Sequence, residues 1–159
     1  MTNAAAIRIR PAEERDRLPL AELFAAVAEE RDGIATEPPV DIEARAARWR
    51  LEGSLVAVDE EEIVGSLFID TSGHGYGEIG MTVARDWRGR GVGSELMAAA
   101  IEWARERNLH KLSLSVFAHN NAAIALYRKF GFVEEGWRVK QFRRSSGELW
   151  DAIDMGLLL

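Results

Sequence analysis

The chain has 159 residues, 47% hydrophobic and 29% charged, with 26 acidic against 20 basic side chains and no cysteine. That length suits one domain, residues 1–159, able to bury roughly 70% of its unfolded surface without staples. The formal charge of −6 argues against general nucleic-acid binding, and the missing cysteines remove disulfides and thiolate metal sites or nucleophiles. No apolar run reaches the ~18 residues of a membrane span, and the opening MTNAAAIRIRPAEERD has no signal-peptide core. A cytoplasmic protein is expected, with no membrane, nucleic-acid or metal partner.

In chain order, the alternating IRIR of 7–10 reads as a strand stopped by Pro11. Leu20, Leu23, Phe24 and Val27 form a helical stripe within 13–31. The loop 32–41 holds two prolines, and a second amphipathic helix is expected over about 41–51. Residues 54–70 read as two strands joined by an acidic turn. The segment TSGHGYG, 71–77, reads as a flexible connection, because three glycines in seven residues disfavour any regular element. A strand over 78–84 then runs into a glycine loop and a helix over 91–107, with Val92, Leu96, Ala100 and Ala104 at i+4 steps. Leu112, Leu114 and Val116 alternate with serines in a strand over 111–117. A short helix over 120–130 has Asn120 or Asn121 at its N-cap and Gly131 past its end. Strands over 132–143 and 148–158 close the chain around the turn SSGE. The order β-α-α-β-β-β-α-β-α-β-β predicts an α/β (α+β) fold. Its sheet would be mixed and mostly antiparallel, with one strand-helix-strand crossover.

The loop RDWRGRGVG, 85–93, opens a helix with three arginines and three glycines in a chain that is acidic overall. Helix N-termini present unpaired N–H groups and favour anions, glycines allow close approach, and arginines suit phosphate oxygens. The combination predicts a phosphate or pyrophosphate site. It is not a Walker loop, since Gly93 is followed by Ser94 with no lysine. It is not a dinucleotide fingerprint either, because Gly89, Gly91 and Gly93 give G-x-G-x-G and no acid lies near Ser113.

Arg88-x-x-Gly91-x-Gly93 after a strand resembles the Q/R-x-x-G-x-G/A signature of the GNAT superfamily of N-acetyltransferases. Downstream, NNAAIALYRKFGF (120–132) resembles its second motif, N-x-x-A-I-x-L-Y-x-x-x-G-F, in order and spacing. The start IRPAEERD and the end GELWDAIDM are similar to the branch of phosphinothricin and L-amino-acid N-acetyltransferases. The resemblance implies about seven strands and four helices, with the fourth and fifth strands, 78–84 and 111–117, splayed apart. It implies acetyl-CoA as co-substrate. The backbone from Arg88 through Gly89, Arg90, Gly91, Val92 and Gly93 to Ser94 would wrap its pyrophosphate, with the Arg88 and Arg90 side chains helping. Met81 and Val83 would bond the pantetheine arm, and the Val83 N–H would donate to the thioester oxygen. Tyr127 matches the residue that protonates the leaving sulfur, and Asn120 would touch the pantetheine or cap its own helix.

Glu78 sits where several members place a strand glutamate acting as base; it reads equally as a solvent-facing acid at a strand's start. The alternative glutamate of other members, twelve residues before the tyrosine, is Ser115 here. His74 and His119 read as incidental or structural. Acceptor selection falls to 29–40 and to the hairpin near 136–148. There Glu29, Glu30 and Glu37 could attract a cationic amine, Arg138, Arg143 and Arg144 a carboxylate, and Trp137 could wall the pocket; Trp103 reads as packing. The expected activity is acetyl transfer to a primary amine of a small molecule, an amino acid or a similar compound, by a homodimer. The alternatives are acetylation of a protein N-terminus or lysine, and acyl-CoA binding without catalysis.

Overall fold

The computed structural model describes residues 6–71 and 73–159. Strand β1 (Arg8–Pro11) ends at its proline, and a 3-10 turn (Glu14–Asp16) leads into α1 (Arg17–Glu29). The helix therefore starts four residues later than the apolar stripe predicts. Glu13 and Asp16 cap the turn reciprocally, and Asp16 is buried while accepting from both Arg10 Nη atoms at 2.6 and 3.0 Å. Helix α2 (Ile42–Arg48) is shorter than expected. Asp41 caps it through the Ala44 N–H, and the backbone leaves helical angles at Trp49.

Strands β2 (Ser54–Asp59), β3 (Glu62–Thr71) and β4 (Tyr76–Val83) form a meander, and α3 (Val92–Glu106) crosses over to β5 (Lys111–Phe117). Helix α4 (Asn121–Lys129) and the hairpin β6 (Val133–Arg143) and β7 (Leu149–Leu158) complete the chain. The sheet order is β1-β2-β3-β4-β5-β7-β6, and only β4 and β5 run parallel. The mixed, mostly antiparallel sheet of seven strands is as the sequence predicts. The 71–77 connection is shorter than expected, with only 73–75 outside the strands among its described residues. Thr71, Tyr76 and Gly77 belong to strands, and Ser72 lies outside the described residues. Gly77 is there for close approach: a Cβ would lie 2.6 Å from Ile69 Cγ2.

Both faces of the sheet are covered. Leu96, Met97, Ala100 and Ala104 of α3 and Ile124 of α4 pack on Leu55, Leu67, Ile79, Leu112 and Met155. On the opposite face Leu20 of α1 meets Val56 and Val58. Strand β2 is thus buried on both sides, which accounts for its unbroken apolar run. Trp103 packs against the α3 side of the core under Arg107, as expected of a packing residue.

Candidate active site

Strands β4 and β5 pair only at Tyr76↔Lys111, Gly77↔Leu112 and Glu78↔Ser113. Beyond that the ladder stops, while the other edge of β4 stays paired with β3 as far as Val83↔Gly65. The Ala84 N–H donates to the Val64 carbonyl at 2.8 Å. Antiparallel bonding alternates along a strand, so Thr82 and Gly80 also face β3. The N–H groups of Met81 and Val83 then point into the gap. The Val83 carbonyl points there too, and it accepts from Arg88 Nε at 3.0 Å.

The glycine loop meets the lower end of this gap. Gly89 and Gly91 have φ of +71° and +86°, and a Cβ on either would touch no atom within 4 Å. The space beside their backbone is therefore open. Gly91 is the N-cap of α3 and offers no side-chain acceptor, so the first-turn N–H groups keep their positive end uncovered. Gly93 serves packing: a Cβ would lie 2.9 Å from Leu126 Cδ2 on α4.

The arginine side chains are engaged with groups of the protein itself. Arg88 forks onto Glu30, the C-cap of α1, at 2.6 and 2.7 Å, and Arg90 lies over the Trp87 ring at 3.9 Å. Hydrogen bonding to Arg88 pulls the Glu30 carboxyl below its ordinary range and raises the guanidinium in turn. The loop therefore presents backbone rather than guanidinium groups to its open side.

Every catalytic and cofactor-binding residue expected from the sequence, except Arg90, borders one cavity of about 1570 Å³. Tyr127 reaches it from α4. It is 8% exposed, and burial pushes its phenol up to about 12. Its hydroxyl makes no hydrogen bond with another described residue, so the proton it carries is uncommitted. Asn120 caps α4 through the Ala123 N–H at 3.2 Å. Glu78 is exposed near the end of the gap, across from Asp70 of β3, and Arg50 holds Asp70 at 2.9 Å.

The acceptor side corrects several expectations. Arg144 is buried and points inward. Its guanidinium donates to the Ala35 carbonyl at 2.9 Å and to those of Arg31 and Ile34 at 3.3 and 3.5 Å. It also lies over Trp150 at 4.3 Å. Glu37 accepts from the Ser145 N–H and hydroxyl at 2.9 and 2.7 Å. These contacts fasten the 31–37 loop to the β6–β7 hairpin and use up charges that the sequence suggests for substrate. Arg138 pairs with Asp154 at 2.7 Å, and Trp137 is 52% exposed and away from the cavity. His119 has a structural part, bonding Asp32 at 2.9 Å and stacking on Phe117. Sequence reasoning passed over Phe24, Arg45, Arg48, Trp49 and Phe68, which border the cavity. Arg45 and Arg48 stand at i, i+3 spacing on a seven-residue helix, a signal too short to stand out.

This architecture has known counterparts. The acetyltransferase (GNAT) family model matches residues 19–132. The L-amino acid N-acetyltransferase AaaT of Escherichia coli K12 is 36% identical over 110 residues, covering 64% of this chain and 65% of that enzyme. The match thus spans less than two thirds of that relative's length. The structure of a ribosomal-protein-alanine N-acetyltransferase from Brucella melitensis superposes with a TM-score of 0.85 at 33% identity, over 96% of this chain and 99% of that one. A phosphinothricin acetyltransferase from Sinorhizobium meliloti, solved with acetyl-CoA, shares the fold with a TM-score of 0.87 at 19% identity, over 96% and 88% of the two chains. No helix among the described residues is long and apolar enough to cross a membrane. With the model covering well over half its length and the splayed sheet in place, the chain belongs to the acetyltransferase (GNAT) family.

Proposed function

We propose that this protein is one N-acetyltransferase domain that moves an acetyl group from acetyl-CoA to the primary amine of a small molecule, an amino acid or an amino-acid-like compound. The observation that carries this reading is the gap between β4 and β5, with unpaired N–H groups at Met81 and Val83 and Tyr127 bordering the same cavity. The residues fit the co-substrate. An extended amide arm matches the free edge of β4, and the open cradle at Gly89 and Gly91, which a Cβ would fill, matches a diphosphate.

Acetyl-CoA supplies an activated acyl group as a thioester. Met81 and Val83 hold the arm by their backbone, and the N–H groups from Arg88 through Gly89, Arg90, Gly91, Val92 and Gly93 to Ser94 hold the phosphates. Asn120 adds a contact beside its capping bond. Glu78 accepts a proton from the acceptor ammonium, directly or through water, freeing the nitrogen lone pair. As the C–N bond forms and the C–S bond breaks, the Val83 N–H stabilises charge on the thioester oxygen. Tyr127 gives its proton to the departing sulfur, a role that suits a phenol held neutral by burial, and the second proton that the nitrogen sheds on becoming an amide passes through water to restore the phenol.

The test is thiol release from acetyl-CoA with a panel of amines and amino acids. Absence of turnover with all of them, in protein that binds coenzyme A, overturns the reading. A second reading, acetylation of a protein N-terminus, draws support from the Brucella relative. The loop 31–37, tied down by Arg144, walls the cavity from Asp32 to Thr36 and favours a small acceptor; an N-terminal alanine peptide in the same panel separates the two. A cytoplasmic homodimer belongs to this proposal. Edge strand β6 exposes Val133, Trp137 and Val139, and light scattering on Trp137→Glu checks whether two copies use it.

A further inference from the structure

The charges along the cavity wall are nearly all matched within the protein. Arg88 takes Glu30, Arg50 takes Asp70, Arg138 takes Asp154 and Lys111 takes Glu135. Asp32 holds His119, and Glu52 has Arg107 at 3.7 Å. Three bordering groups have no opposite charge within ion-pair distance among the described residues: Arg45 and Arg48 on α2, and Glu78 on β4.

The unmatched set is two cations and one carboxylate. Arg45 and Arg48 share a face of α2, so their like charges oppose each other. Arg45 lies over the Phe24 ring, its guanidinium carbon 3.6 Å from the centroid. That contact anchors the guanidinium and leaves its N–H groups to meet a planar anion two at a time. Burial, and secondarily Arg48, already lowers the Arg45 pKa, the mark of a cation partly stripped of water without a counter-charge. The two ends border the same cavity. Arg50, two residues after Arg48, reaches Asp70, and Asp70 stands directly across the ladder from Glu78. Because Arg50 neutralises Asp70, Glu78 alone keeps a free carboxylate there. Phe24, Trp49 and Phe68 line the wall on the same side and offer apolar surface.

We propose that the acceptor binds as a zwitterion, its carboxylate held by Arg45 with Arg48 and its ammonium group directed to Glu78. The substrate class is therefore a free α-amino acid with an apolar side chain. This rests on the acetyl-transfer reading above and adds to it the anionic handle and the residues that read it.

The experiment compares methionine, leucine and phenylalanine with their primary amides, which keep the amine and lose the carboxylate. It uses wild type, Arg45→Met, Arg48→Met and Arg45→Lys. Arg45→Met is expected to lower kcat/KM for the acids by about 10- to 100-fold, the range for a hydrogen bond to a charged partner, mainly through KM. The amides should change less than about twofold. Arg45→Lys should recover part of the loss, and Arg48→Met should show the same acid-selective effect more weakly. Because acid and amide are read in the same variant, a general loss of folded protein cancels from the ratio, as does the lower basicity of the amide's amine. An acid-to-amide ratio unchanged by Arg45→Met overturns the assignment. So does wild type that uses amides as well as acids; in both cases acetyl transfer itself still stands. If wild type acetylates neither acids, amides nor the alanine peptide, the transfer reading fails together with this one.

Discussion

Replacing Arg144 with methionine should cost about 2–3 kcal/mol. The side chain is 4% exposed, so its guanidinium is not replaced by water without rearrangement. Its 2.9 Å bond to the Ala35 carbonyl is charge-assisted and worth roughly 1.5–3 kcal/mol. The bonds to Arg31 and Ile34, at 3.3 and 3.5 Å, are long and add little. The stacking over Trp150 at 4.3 Å contributes about 0.5–2 kcal/mol. Methionine refills the aliphatic stem, and the exposed 31–35 backbone lets the freed carbonyls turn to solvent, which trims the sum. For a chain of this size each kcal/mol moves Tm by roughly 2–4 °C, so a drop of about 4–12 °C is expected. Urea and thermal unfolding followed by tryptophan fluorescence measure it. Arg144→Lys keeps the charge but cannot span several carbonyls, and should recover less than half of the loss. A methionine variant within about 0.5 kcal/mol of wild type, the usual range for an indifferent surface change, would refute the view that this arginine fastens the loop to the hairpin.

Tyr127→Phe should lower kcat on the order of 10²–10⁴-fold while coenzyme A binding by calorimetry is unchanged. Burial raises the phenol from its ordinary value to about 12, so its contribution to stability is whole below the unfolded value near ~10. It is then lost as pH climbs through the folded one; a late phenolate absorbance step, from one of the chain's two tyrosines, should vanish in the variant. Gly91→Ala places an L-residue at φ +86° with no atom near its methyl. Strain alone should cost about 1–2 kcal/mol, and coenzyme A should bind on the order of tenfold more weakly, because the methyl enters the open cradle; an unchanged Kd counts against the phosphate assignment. Asp16→Asn should destabilise by about 2–4 kcal/mol at neutral pH. The hydrogen bonds from Arg10 hold the Asp16 carboxyl below its ordinary range, so its stabilisation is present above the unfolded pKa and fades as pH falls through the folded one. The gap between wild type and variant in acid unfolding should therefore narrow below about pH 4.

The order of elements was readable because periodicity is local. The α3 stripe of Val92, Leu96, Ala100 and Ala104 and the β5 alternation of Leu112, Leu114 and Val116 each bury one face, and both lie where the sequence predicts. The glycine loop was readable because positive φ and an uncapped helix start demand particular residues in consecutive positions. Gly77 was misread for the same reason reversed: its absent side chain answers to Ile69, eight residues away on the neighbouring strand. The acceptor wall was least legible. Whether an arginine is free or committed depends on partners distant along the chain, 58 residues for Arg88 and Glu30, 109 for Arg144 and Ala35. Nothing in the local pattern distinguishes Arg144, which is spent on carbonyls, from Arg45, which is not.

The parallel ladder that ends after three rungs divides the sheet into two plates, β1 to β4 and β5 with β7 and β6, hinged at Glu78 and Ser113. Each plate has a raw margin in the interior of the molecule, where such margins are ordinarily stitched by another strand. A polyamide arm lying in that seam would supply the stitch, so ligand binding and the rigidity of the whole sheet become one equilibrium. On the acetyl-transfer reading, the spent carrier would leave by the same seam.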